Sequence, residues 1–345
     1  MGENRCVRLP LPRDVGGRPD PATYLGSPQL RDGLFHNRVT TRPVTEFSRS
    51  ELARDFARKG RSGRPTAPIP VVSPTLPRHA ARCAATWLGH ASVLLEVSGH
   101  WVLTDPIWSN RCSPSQAVGP KRHHPAPMPL ASLPELSAVL ISHDHYDHLD
   151  TRTVRWLLEH RSVPFVVPLG IGAHLRAWGV PESRIVELDW GDQHHVDDLV
   201  LTCAEAQHFS GRLFTNNTTL WSSWVLAAGE TSVFFGGDTG YTPAFADLGE
   251  QWGPFDLTVL PIGAYDVRWR DIHMDPDEAV QTHRDVRGDV LLPVHWATFD
   301  LAFHTWADPV ERLLTAAGDD VRLALPRPGE RFVIDEELPT DPWWR

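Results

Sequence analysis

The sequence predicts an α/β protein in which two mixed β-sheets face each other with helices outside. Three observations lead there. Short apolar runs rich in Val, Ile, Phe and Trp, separated by turn residues, fill two stretches of the chain. Helical segments with capping residues lie between them, and the C-terminal part alternates strand and helix. Histidines and aspartates stand at the C-terminal ends of several apolar runs, where open sheets place their sites.

In chain order, residues 1–81 read as an extended N-terminal arm. They are rich in Pro, Arg and Gly, as in "LPLPRDVGGRPDPATYLGSP" and "GRPTAPIPVVSPTLPRH". Disorder is expected over residues 1–20. One short helix is expected in "TEFSRSELARDFARKG", where Phe47, Leu52 and Phe56 fall near helical spacing. A catalytic domain over residues 82–345 follows. "CAATWLGHASVLLEVSGHWVLTDP" reads as three strands, with Ser98-Gly99 as the hairpin turn between the last two. "LSAVLIS" is a buried strand. "DTRTVRWLLEH" is a helix with Asp150 at its N-cap. "VPFVVPL" is a strand, and "GIGAHLRAWGV" a helix closed by Gly179. "RIVELDW", "LVLTCAEAQHF", "WSSWVLAA", "TSVFFGGDTG" and "DLTVLPIG" all read as strands. "MDPDEAVQTHRDV" is a helix capped by Asp275 with Pro276 first inside it. "DVLLPVHW" is a strand, "DPVERLLTAAG" a helix and "RFVIDEE" a last strand.

The chain has 345 residues, 41% hydrophobic and 22% charged, which is enough to bury a large core. Its net charge of −10 argues against nucleic acid as a partner. The four cysteines include no C-x-x-C pair, so neither a disulfide framework nor a thiolate zinc site is expected. That composition suits a reducing, cytoplasmic compartment. No run is apolar enough to span a membrane, while peripheral membrane contact stays compatible with the sequence. Nothing in the sequence fixes the oligomeric state, a homodimer being one arrangement open to it.

Residues 142–150, "SHDHYDHLD", follow directly on an apolar run. Extended backbone there can aim His143 and His145 to one side, while Asp147 and His148 turn toward a second point. Further ligands are expected from other strand ends: His208 in "EAQHFSGR", Asp238 in "VFFGGDTGY" and His295 in "LLPVHWATF". Imidazole and carboxylate without thiolate suit Zn²⁺, with Mn²⁺ or Fe as alternatives. The glycines beside Asp238 are expected to let backbone come close to the metals. His90 of "GHAS" should border the site, and Tyr146 should point away from it. Lys121 and Arg122 in "GPKRHH" are candidates for attracting an anionic head group.

The H-x-H-x-D-H run, followed by His, Asp and His at strand ends, resembles the metallo-β-lactamase-fold hydrolases over residues 82–335. "TWLGHASVLLE", "LTDPIWSNRCSPSQAVGPKRHHPAP", "LISHDHYDHLD", "PIGAYDVRW" and "HMDPDEAV" are similar to N-acyl-phosphatidylethanolamine-hydrolysing phospholipase D and its bacterial relatives. The resemblance implies an αββα sandwich and two Zn²⁺. It puts His143, His145 and His208 on one ion, Asp147, His148 and His295 on the other, and Asp238 between them. Catalytic roles are implied for Asp147, for Asp105 of "LTDP" beside the metals and for His273 of "IHMDPDEA" over a substrate phosphate. In that family a Gln precedes the last histidine, and Ile272 stands there in this chain. The implied reaction is hydrolysis of a small-molecule or lipid phosphodiester by a water activated between two cations ~3.5–4 Å apart. The same metals could instead open a lactone, a cyclic nucleotide or a β-lactam. The arm's "VVSPTLP" and the 14 tryptophans are expected to contribute to an acyl groove.

Overall fold

The computed structural model describes residues 15–41, 48–213 and 215–345. Residues 1–14, most of the segment expected to be disordered, and Phe47 of the expected helix lie outside the described residues. The helix itself spans Arg49–Lys59.

Among the described residues two seven-stranded sheets form the body. From edge to edge the first runs Arg331–Val333, Cys83–Trp87, Val93–Val97, His100–Thr104, Ala138–Leu140, Phe165–Pro168 and Ile185–Leu188. The second runs Arg322–Leu323, Gly288–Val294, Phe255–Pro261, Thr231–Phe235, Ser223–Ala228, Leu199–Ala204 and Gln193–Val196. Each sheet is antiparallel at one end and parallel at the other, so both are mixed. The turn between Val93–Val97 and His100–Thr104 holds Ser98 at φ 45° and Gly99 at φ 91°, the left-handed pair of a tight hairpin.

Period-2 alternation sorts the first sheet's side chains onto two faces. Ala85, Trp87, Val93, Leu95 and Leu140 point inward and share one core with Leu201, Trp224, Leu226, Phe235 and Val259 of the second sheet. Leu94, Leu103, Val139, Phe165 and Val167 point outward. They pack under the helices Thr151–His160 and Gly172–Ala177 through Val154, Leu157 and Leu175. Helices Ala244–Trp252, Pro276–Asp285 and Asp308–Ala317 cover the second sheet with Phe245, Val280 and Leu313. Strands covered on both faces explain the near-continuous apolar runs. Burying each large apolar side chain contributes roughly 1.5–3 kcal/mol. The result is the αββα sandwich.

The tryptophans mostly build core. Trp87 stacks on Trp296 at 5.9 Å, and Trp343 and Trp344 close the same cluster. In the arm, the Val72 N–H donates to the Pro328 carbonyl and Leu76 packs in the outer core of the first sheet, so this stretch is tied to the domain.

Candidate metal centre

Parallel strands end at the same edge of their sheets, and the loops that follow converge there. Ala138–Leu140 delivers residues 142–150, Leu199–Ala204 leads to His208, Thr231–Phe235 to Asp238, and Gly288–Val294 to His295. All seven of these His and Asp positions meet. His143, His145 and His208 form one group; His90, Asp147, His148 and His295 form another. Asp238 joins groups with His143 and His148 and with His208 and His273. Within each group the ligating atoms lie within 4.8 Å of one another. Asp238 Oδ2 is 3.2 Å from His148 Nε2, 3.1 Å from His295 Nε2, and 3.9 Å from the Nε2 atoms of both His143 and His208.

The outer hydrogen bonds fix which nitrogen faces inward. The His208 Nδ1–H donates to the Ile272 carbonyl at 2.8 Å. His148 Nδ1 lies 2.7 Å from Asp105 Oδ2 and donates to it. The Ser142 hydroxyl donates to Asp105 Oδ2 at 2.6 Å, so it accepts from His143 Nδ1 at 2.9 Å. In all three, Nε2 is left aimed at the common centre. His143 Nε2 and His208 Nε2 approach His145 Nδ1 at 2.8 and 3.3 Å. His148 Nε2, both nitrogens of His295 and Asp238 Oδ1 are buried without a hydrogen-bond partner. Orphaned buried atoms cost free energy unless something satisfies them. Lone pairs and carboxylates converging without thiolate are a donor set that fits divalent cations such as Zn²⁺, Mn²⁺ or Fe.

Electrostatics agree with a ligand set. Burial, reinforced by neighbouring imidazoles, holds His143 and His208 well below the usual histidine range and therefore neutral. Burial alone would raise Asp147 and Asp238. The imidazoles around them, His148 foremost, overcome it and hold both carboxylates well below their ordinary values. The same carboxylates, Asp238 foremost, pull His148 and His295 up against burial, so a cation taking Nε2 of either would displace a proton.

Other residues hold the cluster. Asp105, fully buried behind His148, also accepts the Ser142 backbone N–H at 2.7 Å and does not reach the cleft. Asp144 takes the Gly211 N–H at 2.7 Å and pairs with His174 at 3.2 Å, which pins the 142–150 loop. Arg212 donates to the carbonyls of Asp144, Leu149 and Val15, and its guanidinium sits 4.0 Å from the Tyr146 ring centroid, on the side away from the cluster. Gly237, at φ 59°, is needed for the packing of backbone beside Asp238. A Cβ there would meet Ser142 Cβ at 2.6 Å and the Ser222 carbonyl at 2.9 Å, so the glycine lets two strand ends cross.

Two residues went unassigned or underrated in the sequence. His90 does more than border the site, since its Nε2 lies 2.9 Å from Asp147 Oδ2. Asn37, in the arm, grips the His208 backbone at both ends: its Nδ2 donates to the carbonyl at 2.8 Å, and its Oδ1 accepts the N–H at 3.1 Å. His90, Asp105 and His295 hold φ of 54°, 35° and 62°. Left-handed backbone at non-glycine residues costs of order 1–3 kcal/mol each and concentrates at functional sites.

The cluster floors a cleft of about 160 Å³ walled by Phe209, Trp269, Ile272 and Leu301. His273 borders it, its Nδ1 3.9 Å from Asp238 Oδ2, and also lines an adjoining pocket of about 330 Å³ with Arg270, Arg312, Phe303 and Tyr265.

Known proteins resemble this chain in sequence and in fold. The profile of a family described as "Beta-lactamase superfamily domain" matches residues 100–296. An uncharacterized protein of Mycobacterium tuberculosis, Rv0906, is 52% identical over 92% of this chain and 88% of its own length. N-acyl-phosphatidylethanolamine-hydrolyzing phospholipase D 1 of Caenorhabditis elegans is 39% identical over 63% of this chain and 64% of its own. Igni18, a metallo hydrolase from Ignicoccus hospitalis, superposes with a TM-score of 0.56 at 20% identity, over 72% of this chain and 97% of that one. That last likeness is one of fold.

Proposed function

We propose that this chain, which belongs to the β-lactamase superfamily and shares its metal-dependent hydrolase fold, cleaves a phosphodiester in the manner of a phospholipase D. N-acyl-phosphatidylethanolamine or a related lipid is the substrate on this reading. His143, His145 and His208 would hold one divalent cation and Asp147, His148 and His295 the other, with Asp238 shared. Zn²⁺ is favoured, Mn²⁺ and Fe being alternatives. When bound, such a pair supplies Lewis acidity, which makes water a nucleophile near neutral pH and offsets charge growing on phosphoryl oxygens.

The chain's own residues do the rest. Asp105 keeps His148 in the tautomer that offers Nε2 inward, a positioning role. His273 has a buried Nδ1 without a partner at the cleft edge. Burial pulls it down to about 4, so it meets a phosphate oxygen as a neutral hydrogen-bond donor above that pH. Phe209, Trp269, Ile272 and Leu301 exclude water and present apolar surface to a lipid chain. A lipid substrate would bring the chain to a bilayer surface. Among the described residues no helix is long and apolar enough to cross a membrane.

The observation that carries this reading is the apolar wall standing directly over the His/Asp cluster. The test is a substrate panel on metal-loaded protein: N-acyl-phosphatidylethanolamine, bis-nitrophenyl phosphate, a lactone and a β-lactam. Turnover of the two phosphodiesters, fastest for the lipid, supports it. Turnover of the lactone or β-lactam with both phosphodiesters inert overturns it.

A further inference from the structure

A second polar cavity, of about 460 Å³, lies on the other side of the 298–301 loop from the metal cleft. Its wall carries Arg64, Arg111, Lys121, Arg122 and His123, against one carboxylate, Asp300. Lys59 already pairs with that carboxylate. Arg122 is 7% exposed, and its guanidinium donates to the carbonyls of Ile107, Leu88 and His124 at 2.6–3.3 Å. Among the described residues neither it nor Arg64, Arg111 or Lys121 forms an ion pair. Arginine is almost never buried without an acidic partner, because desolvating its charge is costly. The His123 Nε2 is likewise buried with no partner. This concentration of cations sits in a chain of net charge −10.

We propose that this cavity is an oxyanion site that takes a phosphate group, with Arg122 at its base and Arg64, Arg111 and Lys121 around its mouth. Guanidinium forks match the paired oxygens of phosphate, and the lysine adds a mobile point charge. The missing carboxylate is thereby supplied by the ligand. The phosphate is either free or carried on a lipid head group; both present the same oxygens. The site is separate from the reaction proposed above. Phe299 stands between the two, 5.7 Å from the Arg122 guanidinium on one side and edge-on to His90 at 5.1 Å on the other.

The test is calorimetric titration of inorganic phosphate into metal-loaded wild type, an Arg64→Glu/Lys121→Glu variant and Asp238→Asn. Both reversed side chains are exposed, so the fold should persist, and Arg64→Gln/Lys121→Gln provides a milder pair. The expected result is a phosphate-binding event that survives Asp238→Asn and weakens roughly tenfold or more in the charge-reversed variant. Phosphate binding that vanishes with Asp238→Asn, or that is indifferent to Arg64 and Lys121, overturns the proposal. Flotation with phosphatidylcholine vesicles, with and without phosphatidic acid, then separates the sources. Retention only on phosphatidic acid, lost in the charge-reversed variant, assigns the site to a lipid head group. Phosphate binding without vesicle retention assigns it to a free anion.

Discussion

At the scale of single residues, the centre depends as much on the atoms behind the ligands as on the ligands. Asp105 shows this most clearly. It lies 0% exposed, accepts from His148, from the Ser142 hydroxyl and from the Ser142 N–H, and so steers two imidazoles at once. Replacing it by Asn keeps the shape and removes the charge. Asp105→Asn should lower metal affinity roughly 10–100-fold while leaving the fold intact, as measured by zinc titration beside circular dichroism. Unchanged affinity would show that Asp105 serves packing alone. The seven converging His and Asp positions were legible because each closes an apolar run and carries chemistry that a core seldom needs. Asn37 was not legible. An amide in a Pro-rich arm gives no signal, and its partner, His208, is brought beside it only by the fold. His90 was underrated for a similar reason: the turn at Gly89 sets its direction, not its spacing from other ligands.

At the scale of elements, local chemistry predicted most boundaries. Asp150 accepts from Arg152 N and starts the helix Thr151–His160 directly after the 142–150 loop. Asp275 and Glu278 form a reciprocal capping box, which starts Pro276–Asp285 just past His273. Asp275 also pairs with Arg312 at 2.9 Å. Asp275→Ala should therefore cost about 1–2 kcal/mol in urea unfolding, with Asp275→Asn falling between it and wild type. Equal stability of all three would remove the cap from the account. The helix Ala244–Trp252 escaped the sequence reading. It has no side-chain cap, and Gly249 in its middle reads as a breaker. That glycine is needed for contact, since a Cβ there would collide with the Asp285 carbonyl of the neighbouring helix. The strand Gln193–Val196 was missed because it is a polar edge strand with none of the apolar alternation that marks its neighbours.

At the scale of the whole molecule, the two sheets form a rigid base whose strand ends all deliver to one place, and global stability carries a pH signature. His283 lies away from the metal centre, on the buried face of the helix Pro276–Asp285, with Nδ1 2.7 Å from the Thr258 hydroxyl. Burial pulls it down to about 4 from 6.5. The unfolded chain then binds the extra proton between those values, so stability present above about pH 6.5 is lost as pH falls toward 4. The full effect is on the order of 3 kcal/mol. His283→Gln should flatten the decline of unfolding free energy over that window relative to wild type. Parallel curves would contradict the assignment.

The proposed chemistry needs two cations held by side chains drawn from four separate strand ends. Anomalous diffraction from crystals of protein purified with Zn²⁺ tests that most directly. Two peaks are expected on either side of Asp238, one against His143, His145 and His208, the other against Asp147, His148 and His295. A single peak, or zinc bound away from Asp238, would contradict it.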